Sequence, residues 1–271
     1  MCRLLGYAAA APVTVRGVLG ADEVGVFQDL ALLHRDGWGT AWLDEQAGRV
    51  ERELSPTSGA ADDRLTRALA RREAPAGLVH LRMATDGMAC RDDNTHPFTA
   101  DGIAFAHNGA LKPAAAIEAF IAPELRAQLR GDTDSERYFA VIRTKLAQGL
   151  DLPDAVMATV EQLRPLFPTS SMNALILSPT HLIAVHASEG ARIPHEDFDA
   201  SGLGELLPRD HRDAYYLMRQ RRLDDGSVVF ASTGLDIAGW QPLPAESVAV
   251  LELASLQVEV RSLDTLARLA A

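Results

Sequence analysis

Apolar and polar positions predict strands near both ends of the chain and helices in its middle. The run at 3–10 is mostly apolar, which is typical of a buried strand, and the apolar spacing over 60–72 is typical of a helix. The predicted strands are 3–10, 37–43, 49–54, 78–85, 103–107, 172–178, 181–187, 215–222, 227–232, 247–253 and 257–261. The predicted helices are 60–72, 113–129, 135–149 and 154–164.

The order of these elements predicts the fold class. Strands come first, helices follow and strands return, which argues against alternating βαβ units and for an α+β fold of mainly antiparallel sheets covered by helices. A four-layer αββα sandwich is compatible with this order. The segment at about 188–212 is rich in Gly, Pro, Asp and Glu and lacks periodicity, so we expect a long surface excursion there.

Length, charge and cysteine content narrow the class of protein. With 271 residues, 47% of them apolar and 23% charged, the chain is expected to be soluble and to form one large domain. Its net charge of −11, without a basic run, would repel a phosphate backbone, so no nucleic-acid partner is expected. No apolar run approaches the roughly 20 residues that cross a bilayer, so no membrane partner is expected either. Having only two cysteines, Cys2 and Cys90, argues against a disulfide framework and for a cytoplasmic location.

Cys2 is the first candidate for catalysis. A thiol directly after the initiator methionine becomes the N-terminal residue when Met1 is removed. Its α-amine, with an ordinary pKa of about 7.7 to 8, then lies within reach as a base. One residue can thus supply both nucleophile and base. The alternative is that Cys2 is only a small residue in front of a strand.

Arg82 and Asp134 together could bind an amino-acid head group. Arg82 lies in an otherwise apolar predicted strand, and a guanidinium that points into a site can hold a carboxylate by two parallel hydrogen bonds. Asp134, at the start of a predicted helix, could bind the ammonium of the same amino acid. The alternatives are a solvent-facing charge on an edge strand for Arg82, and a helix cap formed by Asp134 or Ser135.

Asn108 and Gly109 are candidates for an oxyanion hole. They follow a predicted strand, and an Asn side-chain N–H with a neighbouring backbone N–H can stabilise a tetrahedral intermediate. The glycine permits a turn and lets the backbone N–H approach a ligand closely. Since Asn-Gly is also the commonest dipeptide of tight turns, a hairpin is the alternative.

Neither a metal nor a cofactor is expected. The polar loop contains Cys90, Asp92, Asp93 and His96, but no two of them have the spacing of a structural zinc site. The motifs of P-loop nucleotide hydrolases, zinc proteases and α/β-hydrolases do not occur in the sequence.

Five short motifs follow one another along the chain. They are Met1-Cys2, His80-Leu81-Arg82-Met83-Ala84-Thr85, His96-Pro97, His107-Asn108-Gly109 and Thr133-Asp134-Ser135-Glu136. Motifs of this kind in this order resemble those of the class II glutamine amidotransferase family. The resemblance implies the N-terminal nucleophile hydrolase fold, with a single domain of this kind over 2–271.

Two further stretches are similar to stand-alone members, including the γ-glutamyl hydrolase of ergothioneine biosynthesis. These stretches are Asp36-Gly37-Trp38-Gly39-Thr40-Ala41-Trp42 and Val229-Phe230-Ala231-Ser232. The sequence departs from the Trp-Ala-Thr-His pattern of glucosamine-6-phosphate synthase at 83–86. It also lacks the Glu-Pro that tends to follow the late Ser in stand-alone relatives, so the substrate stays open.

The resemblance assigns a role to each candidate residue. It implies Cys2 as the nucleophile, and Asn108 with Gly109 as the oxyanion hole. Arg82 and Asp134 would bind the glutamate head group. Thr85 and His107 are implied as further substrate contacts.

The function implied is hydrolysis of a γ-glutamyl amide through a Cys2 thioester. The substrate would be glutamine or a γ-glutamyl conjugate, and the products glutamate and an amine or ammonia. One alternative is a glutaminase subunit that supplies ammonia to a separate synthase partner, since the remaining chain looks too short for a fused synthase domain. A second alternative is a protein that binds a glutamyl ligand without turning it over, if Met1 is retained. A third is an amidase for non-glutamyl amides. A homo-oligomer is also left open.

Overall fold

The fold consists of strands and helices within residues 2–84, 87–203, 208–235 and 239–263, the part of the chain that this computed structural model describes. The strands are β1 (Arg3–Val13), β2 (Trp38–Asp44), β3 (Arg49–Ser55), β4 (Ala74–Leu81), β5 (Phe98–Ala100), β6 (Ile103–Asn108), β7 (Asn173–Leu177), β8 (His181–His186), β9 (Met218–Arg222), β10 (Val228–Ser232), β11 (Gln241–Pro242), β12 (Ser247–Glu252) and β13 (Val258–Ser262). The α-helices are α1 (Val15–Leu19), α2 (Ala21–Asp29), α3 (Asp63–Arg71), α4 (Pro123–Arg126), α5 (Asp134–Ala147), α6 (Leu152–Leu163), α7 (His195–Ala200) and α8 (Arg209–Asp213). Short 3₁₀ segments lie at Leu30–Leu32, Asp92–Asn94, Ala114–Phe120 and Arg164–Leu166.

The strands form two sheets. The first has seven strands in the order β11-β9-β10-β1-β4-β2-β3, and the second has six in the order β13-β12-β8-β7-β6-β5. Every pairing between described strands is antiparallel. β1 is the central strand of the first sheet, where Leu5 lies opposite Ala231 on one side and Val79 on the other.

Side chains of β1 alternate between two hydrophobic cores, as the period of a strand requires. Leu4 and Ala8 belong to the core between the sheets, whereas Leu5 and Tyr7 pack with α1, α2 and α3 on the outer face. The outer face of the second sheet packs against α5 and α6. The layers are therefore helices, sheet, sheet and helices, and the predicted α+β fold of the αββα type is confirmed.

The core between the sheets contains seven alanines beside larger side chains, mainly leucines. Its buried alanines are Ala8, Ala41, Ala76, Ala104, Ala106, Ala184 and Ala249. Across this core, a Cβ added at Gly6 would lie only 3.1 Å from Leu175 Cδ1. The two sheets thus approach each other closely along β1.

The prediction of one continuous helix at 113–129 is wrong. The structure has a 3₁₀ segment at Ala114–Phe120 and the short helix α4, which begins at Pro123. Proline lacks an N–H donor and disfavours helical geometry in the residue before it, so a helix can begin at Pro123 but not run through it.

Two further elements in the N-terminal part of the chain differ from the predicted ones. The strand predicted at 78–85 is β4, which starts and ends four residues earlier and leaves Arg82 just beyond the sheet. Helices α1 and α2 have no counterpart among the predicted elements, and Gly20, with φ of 100°, separates them.

The segment predicted as a surface excursion at about 188–212 lies between β8 and β9. It contains α7 and α8, and Phe198 of α7 is buried in a cluster with Leu33, Tyr215 and Tyr216. The single-domain limits of 2–271 stay a prediction. Across the described ranges, no helix combines the length and apolar character needed to cross a bilayer.

A pair of glycine variants tests the packing around β2. A Cβ at Gly39 would overlap the carbonyl oxygen of His96 and lie 2.7 Å from Pro97 Cδ, whereas a Cβ at Gly25 in α2 meets no atom within 4 Å. Gly39→Ala should lower the free energy of unfolding by about 3 kcal/mol. Gly25→Ala should raise it by about 0.5 to 1 kcal/mol, because alanine favours helix. Urea unfolding of both variants measures this, and equal stabilities would contradict the packing.

Candidate active site

Cys2 lies directly before β1, at the centre of the first sheet, and is 5% exposed. Its backbone nitrogen donates a hydrogen bond to Asn108 Oδ1 at 2.9 Å, and its Sγ lies 3.9 Å from the carbonyl oxygen of Met83. Asn108 is the last residue of β6, in the second sheet. The hydrogen bond therefore joins the two sheets at one end of the sandwich.

The side-chain amide of Asn108 is completely buried, and its two ends differ. Because the backbone N–H of Cys2 can only donate, the atom that faces it is the acceptor Oδ1. The other end, Nδ2, has no hydrogen-bond partner among the described residues. A buried donor left unpaired costs about 1 to 3 kcal/mol, and Nδ2 is free to bind an oxyanion next to Cys2.

Gly109 follows Asn108 and packs against the loop before β7. A Cβ on it would overlap the carbonyl oxygen of Ser171 and lie 2.6 Å from His107 Nε2. Its φ is not in the left-handed region, so a close approach, and not a tight turn, requires glycine here. The hairpin alternative for Asn-Gly is wrong, because β6 leads into the 3₁₀ segment at Ala114–Phe120.

Arg82 follows β4 and is 3% exposed, so the alternative of a solvent-facing charge is wrong. Its backbone N–H bonds to Gly37 O at 2.8 Å, and its carbonyl accepts from Asp36 N at 3.0 Å. Within the described residues, the guanidinium uses only Nη1, which donates to Asp36 O at 2.9 Å and to Cys90 Sγ at 3.6 Å. The remaining N–H groups can bind a carboxylate.

Asp134 is the first residue of α5 and is partly buried. Its Oδ2 accepts a 2.6 Å hydrogen bond from Leu111 N, two residues after Gly109. The helix cap is Thr133, whose Oγ1 accepts from Glu136 N at 3.1 Å, so the interpretation of Asp134 as a cap is wrong. Oδ1 of Asp134 has no partner in the described part of the chain and can accept from an ammonium group.

His107 uses both ring nitrogens within the protein. Nε2 lies 3.1 Å from Ser171 O, to which it can only donate, so Nδ1 accepts the hydroxyl hydrogen of Ser135 at 2.9 Å. The ring thus links β6 to α5 and to the loop before β7. Thr85, the other predicted contact, lies outside the described residues.

Three histidines near the end of β6, His80, His96 and His107, are buried. The rings of His80 and His96 are 4.2 Å apart, and His80 Nε2 lies 3.3 Å from the carbonyl oxygen of His107. Burial is the main cause that lowers the pKa of all three imidazoles below the ordinary value. The three rings are therefore neutral at neutral pH.

Comparison with known proteins assigns the family. A family model described as glutamine amidotransferases class-II matches residues 1–196. The chain belongs to this family. It is 33% identical over 212 residues to the glutamine–fructose-6-phosphate aminotransferase (isomerizing) of Halobacterium salinarum, a match that covers 74% of this chain and 33% of that protein. The matches cover between 18% and 33% of the length of the curated relatives.

Two solved structures share the fold. The glutamine aminotransferase class-II domain protein of Silicibacter pomeroyi has a TM-score of 0.63 at 18% identity, with 96% of this chain and 99% of that chain covered. The glutamine phosphoribosylpyrophosphate amidotransferase of B. subtilis has a TM-score of 0.63 at 16% identity, with 97% and 49% covered. The predicted family, N-terminal nucleophile hydrolase fold and enzyme class are confirmed.

In this class II amidotransferase, Arg3 is a further residue at the site that the sequence motifs do not identify. It is fully buried, and its Nε donates to the carbonyl oxygen of Cys2 at 2.7 Å. Nη1 donates to Thr233 O and Oγ1, both at 2.9 Å, and Nη2 donates to Tyr215 O at 3.2 Å. The guanidinium also lies 3.8 Å above the Tyr215 ring. Arg3 thus fixes Cys2 from its carbonyl side, opposite to Asn108.

A cavity of about 350 Å³ lies beside the candidate site, lined among others by Asp36, Met83 and Cys90. Two of these residues contact Arg82, and Met83 contacts Cys2. A larger cavity of about 500 Å³ around Arg52 and Arg130 includes none of the predicted site residues. Size alone therefore does not locate the site. Within the described ranges, no three His, Cys, Asp or Glu side chains are placed to hold a metal ion.

Because these buried histidines are neutral in the folded protein, we expect acid to lower the free energy of unfolding. Below pH about 6.5 the unfolded chain protonates these imidazoles while the folded chain does not, so the unfolded state binds more protons. The free energy of unfolding should fall as pH drops, by up to about 1.4 kcal/mol per pH unit for each such histidine. His211, whose pKa burial lowers to about 2, adds to this throughout the range.

Urea unfolding between pH 7 and 5 measures the effect. The stability of the wild type should decrease across this interval, and His96→Gln should reduce the slope because His96 is then absent from both states. A stability that does not change with pH would contradict the prediction.

Proposed function

We propose that this protein hydrolyses a γ-glutamyl amide through a glutamyl thioester on Cys2. The observation that carries the proposal is the 2.9 Å hydrogen bond from Cys2 N to Asn108 Oδ1, combined with the buried Nδ2 of the same side chain, which has no hydrogen-bond partner among the described residues. Nucleophile, base and oxyanion donor are thereby brought together at one end of the two sheets. Membership in the class II glutamine amidotransferase family supports the same chemistry.

The first half-reaction forms the thioester. Once Met1 is removed, an N–H of the Cys2 α-amine bonds to Asn108 Oδ1, which leaves the amine lone pair to take the proton of the thiol. The sulfur attacks the γ-amide carbon, a C–S bond forms, and the carbonyl electron pair moves to oxygen. Asn108 Nδ2 and the Gly109 N–H stabilise this oxyanion. When it collapses, the C–N bond breaks and the leaving amine takes the proton from the α-ammonium.

The second half-reaction releases glutamate. The α-amine takes a proton from water, which attacks the thioester carbon to give a second oxyanion in the same hole. Collapse breaks the C–S bond, and the proton returns to sulfur. One water molecule is consumed for each amide bond that is broken.

Selectivity for a glutamyl group rests on two opposite charges. The N–H groups of Arg82 that bond to no described residue bind the α-carboxylate, and Asp134 Oδ1 binds the α-ammonium, while Asp134 Oδ2 is held by Leu111 N at 2.6 Å. His107 contributes to the same pocket through its bonds to Ser135 and Ser171. Thr85 stays a predicted substrate contact from the sequence alone. The substrate is a small molecule, glutamine or a γ-glutamyl conjugate, and the two cysteines, both free thiols, fit the reducing cytoplasm.

Intact-mass spectrometry with 6-diazo-5-oxo-norleucine, a glutamine-like electrophile, tests the nucleophile. The purified protein should lack Met1 and should gain one adduct. Cys2→Ala should gain none, whereas Cys90→Ala, which removes the exposed thiol, should react like the wild type. A retained Met1 without any adduct would favour a glutamyl-binding protein that does not turn its ligand over.

Assays with glutamine and with γ-glutamyl conjugates then identify the leaving group. Release of ammonia from glutamine that rises on adding a synthase would instead assign this chain as the glutaminase subunit of a complex.

Substitution of Arg82 tests the head-group pocket. Arg82→Lys keeps the charge but loses the paired N–H groups, so kcat/KM should fall by about 100-fold, chiefly through a higher KM. Asp134→Asn should act in the same direction. The control is Arg49→Lys, which alters an exposed arginine paired with Glu51 on β3. Steady-state kinetics measure all three, and unchanged values for Arg82→Lys would refute the assignment.

A further inference from the structure

Ser171 lies in the loop before β7 and is buried against the end of β6. Its hydroxyl donates to the carbonyl oxygen of Asn108 at 2.8 Å and accepts from Asn173 N at 3.2 Å. Its own carbonyl oxygen accepts from His107 Nε2 at 3.1 Å. Ser171 thus contacts both the side chain of His107, which precedes Asn108, and the peptide group that joins Asn108 to Gly109.

The bond to Asn108 O fixes one particular peptide group. The C=O of Asn108 and the N–H of Gly109 belong to the same planar unit and point in opposite directions. The Ser171 hydroxyl holds the C=O, and no described residue accepts a hydrogen bond from the Gly109 N–H. The hydroxyl of Ser171 therefore helps to fix the orientation of this N–H, together with the pairing of Asn108 with Asn173 in the sheet.

The same hydroxyl also belongs to a series of hydrogen bonds and one peptide bond that leads from Asn108 to the carbonyl group of Cys2. From Ser171 the series continues to Asn173, whose Nδ2 donates to Tyr216 O at 2.5 Å. The neighbouring residue Tyr215 accepts through its carbonyl from Arg3, which holds the carbonyl of Cys2. The nucleophile and the oxyanion-hole peptide are thus tied to one continuous frame.

We propose that Ser171 is a positioning residue of the oxyanion hole, whose hydroxyl aims the Gly109 N–H at the oxyanion. This inference rests on the proposed function. Ser171 does not touch the substrate and acts through the Asn108–Gly109 peptide. Its loss should slow formation and breakdown of the tetrahedral intermediates and leave recognition of the glutamyl head group intact.

The test compares Ser171→Ala with Ser247→Ala. Ser247, on β12, is also fully buried and also donates to a backbone carbonyl, that of Pro244 at 2.6 Å, but has no contact with the site. The substrate is γ-glutamyl-p-nitroanilide, and L-glutamate serves as a competitive inhibitor. Ser171→Ala should lower kcat about 30-fold and change KM and the inhibition constant of glutamate by less than twofold. Ser247→Ala should keep kcat within twofold.

A second pair keeps the test decisive if Ser171→Ala does not fold. Ser171→Thr retains a hydroxyl and should recover kcat to within about fivefold of the wild type, whereas Ser171→Gly should not. Melting temperatures of all variants are recorded alongside. A kcat for folded Ser171→Ala or Ser171→Gly within threefold of the wild type would overturn the inference, as would an equal loss in Ser247→Ala. A folded wild type that cleaves no γ-glutamyl amide would instead refute the proposed function, and this inference with it.

Discussion

The hydrogen bond between Cys2 N and Asn108 Oδ1 crosses from one sheet to the other, and the candidate site depends on it. The first sheet positions the proposed nucleophile through β1 and the proposed carboxylate ligand, Arg82, just after β4. The second sheet positions the proposed oxyanion donors at the end of β6. Neither sheet holds a complete set of reacting groups. The proposed catalytic geometry therefore depends on how the two sheets pack, and not on either sheet by itself.

Much of the fold and the main candidate residues could be predicted from the sequence. Most strands and the order of strands and helices follow from apolar periodicity, because both faces of these sheets are covered by hydrophobic layers. Cys2, Arg82, Asn108 and Asp134 stand out because their polar groups occur next to predicted apolar elements, in motifs of fixed order. Pro123 was a readable signal for the break in the helix predicted at 113–129.

Other residues of the site could not be predicted, because their contacts are distant in sequence. Arg3 bonds to Thr233, and Ser171 bonds to Asn108. Thr233 and Ser171 lie in loops whose course no local sequence pattern specifies. Arg3 left one weak signal, a charge at the beginning of a buried strand. Ser171 left none, since serines in polar loops are common. The neutral state of His80 and His96 likewise follows only from burial in the folded protein.

The alanine-rich core between the sheets has a consequence for how this protein can vary. Its alanines, together with Gly6 on β1, let β1 lie close to the second sheet, and this close approach keeps Cys2 within hydrogen-bond distance of Asn108. A methyl group added there could be absorbed by a slight shift of the sheets at modest cost in stability. The same shift would lengthen the bond between Cys2 and Asn108. The side chains between the sheets thus determine the distance between the proposed reacting groups. A change in core volume would therefore lower kcat before it lowered the melting temperature.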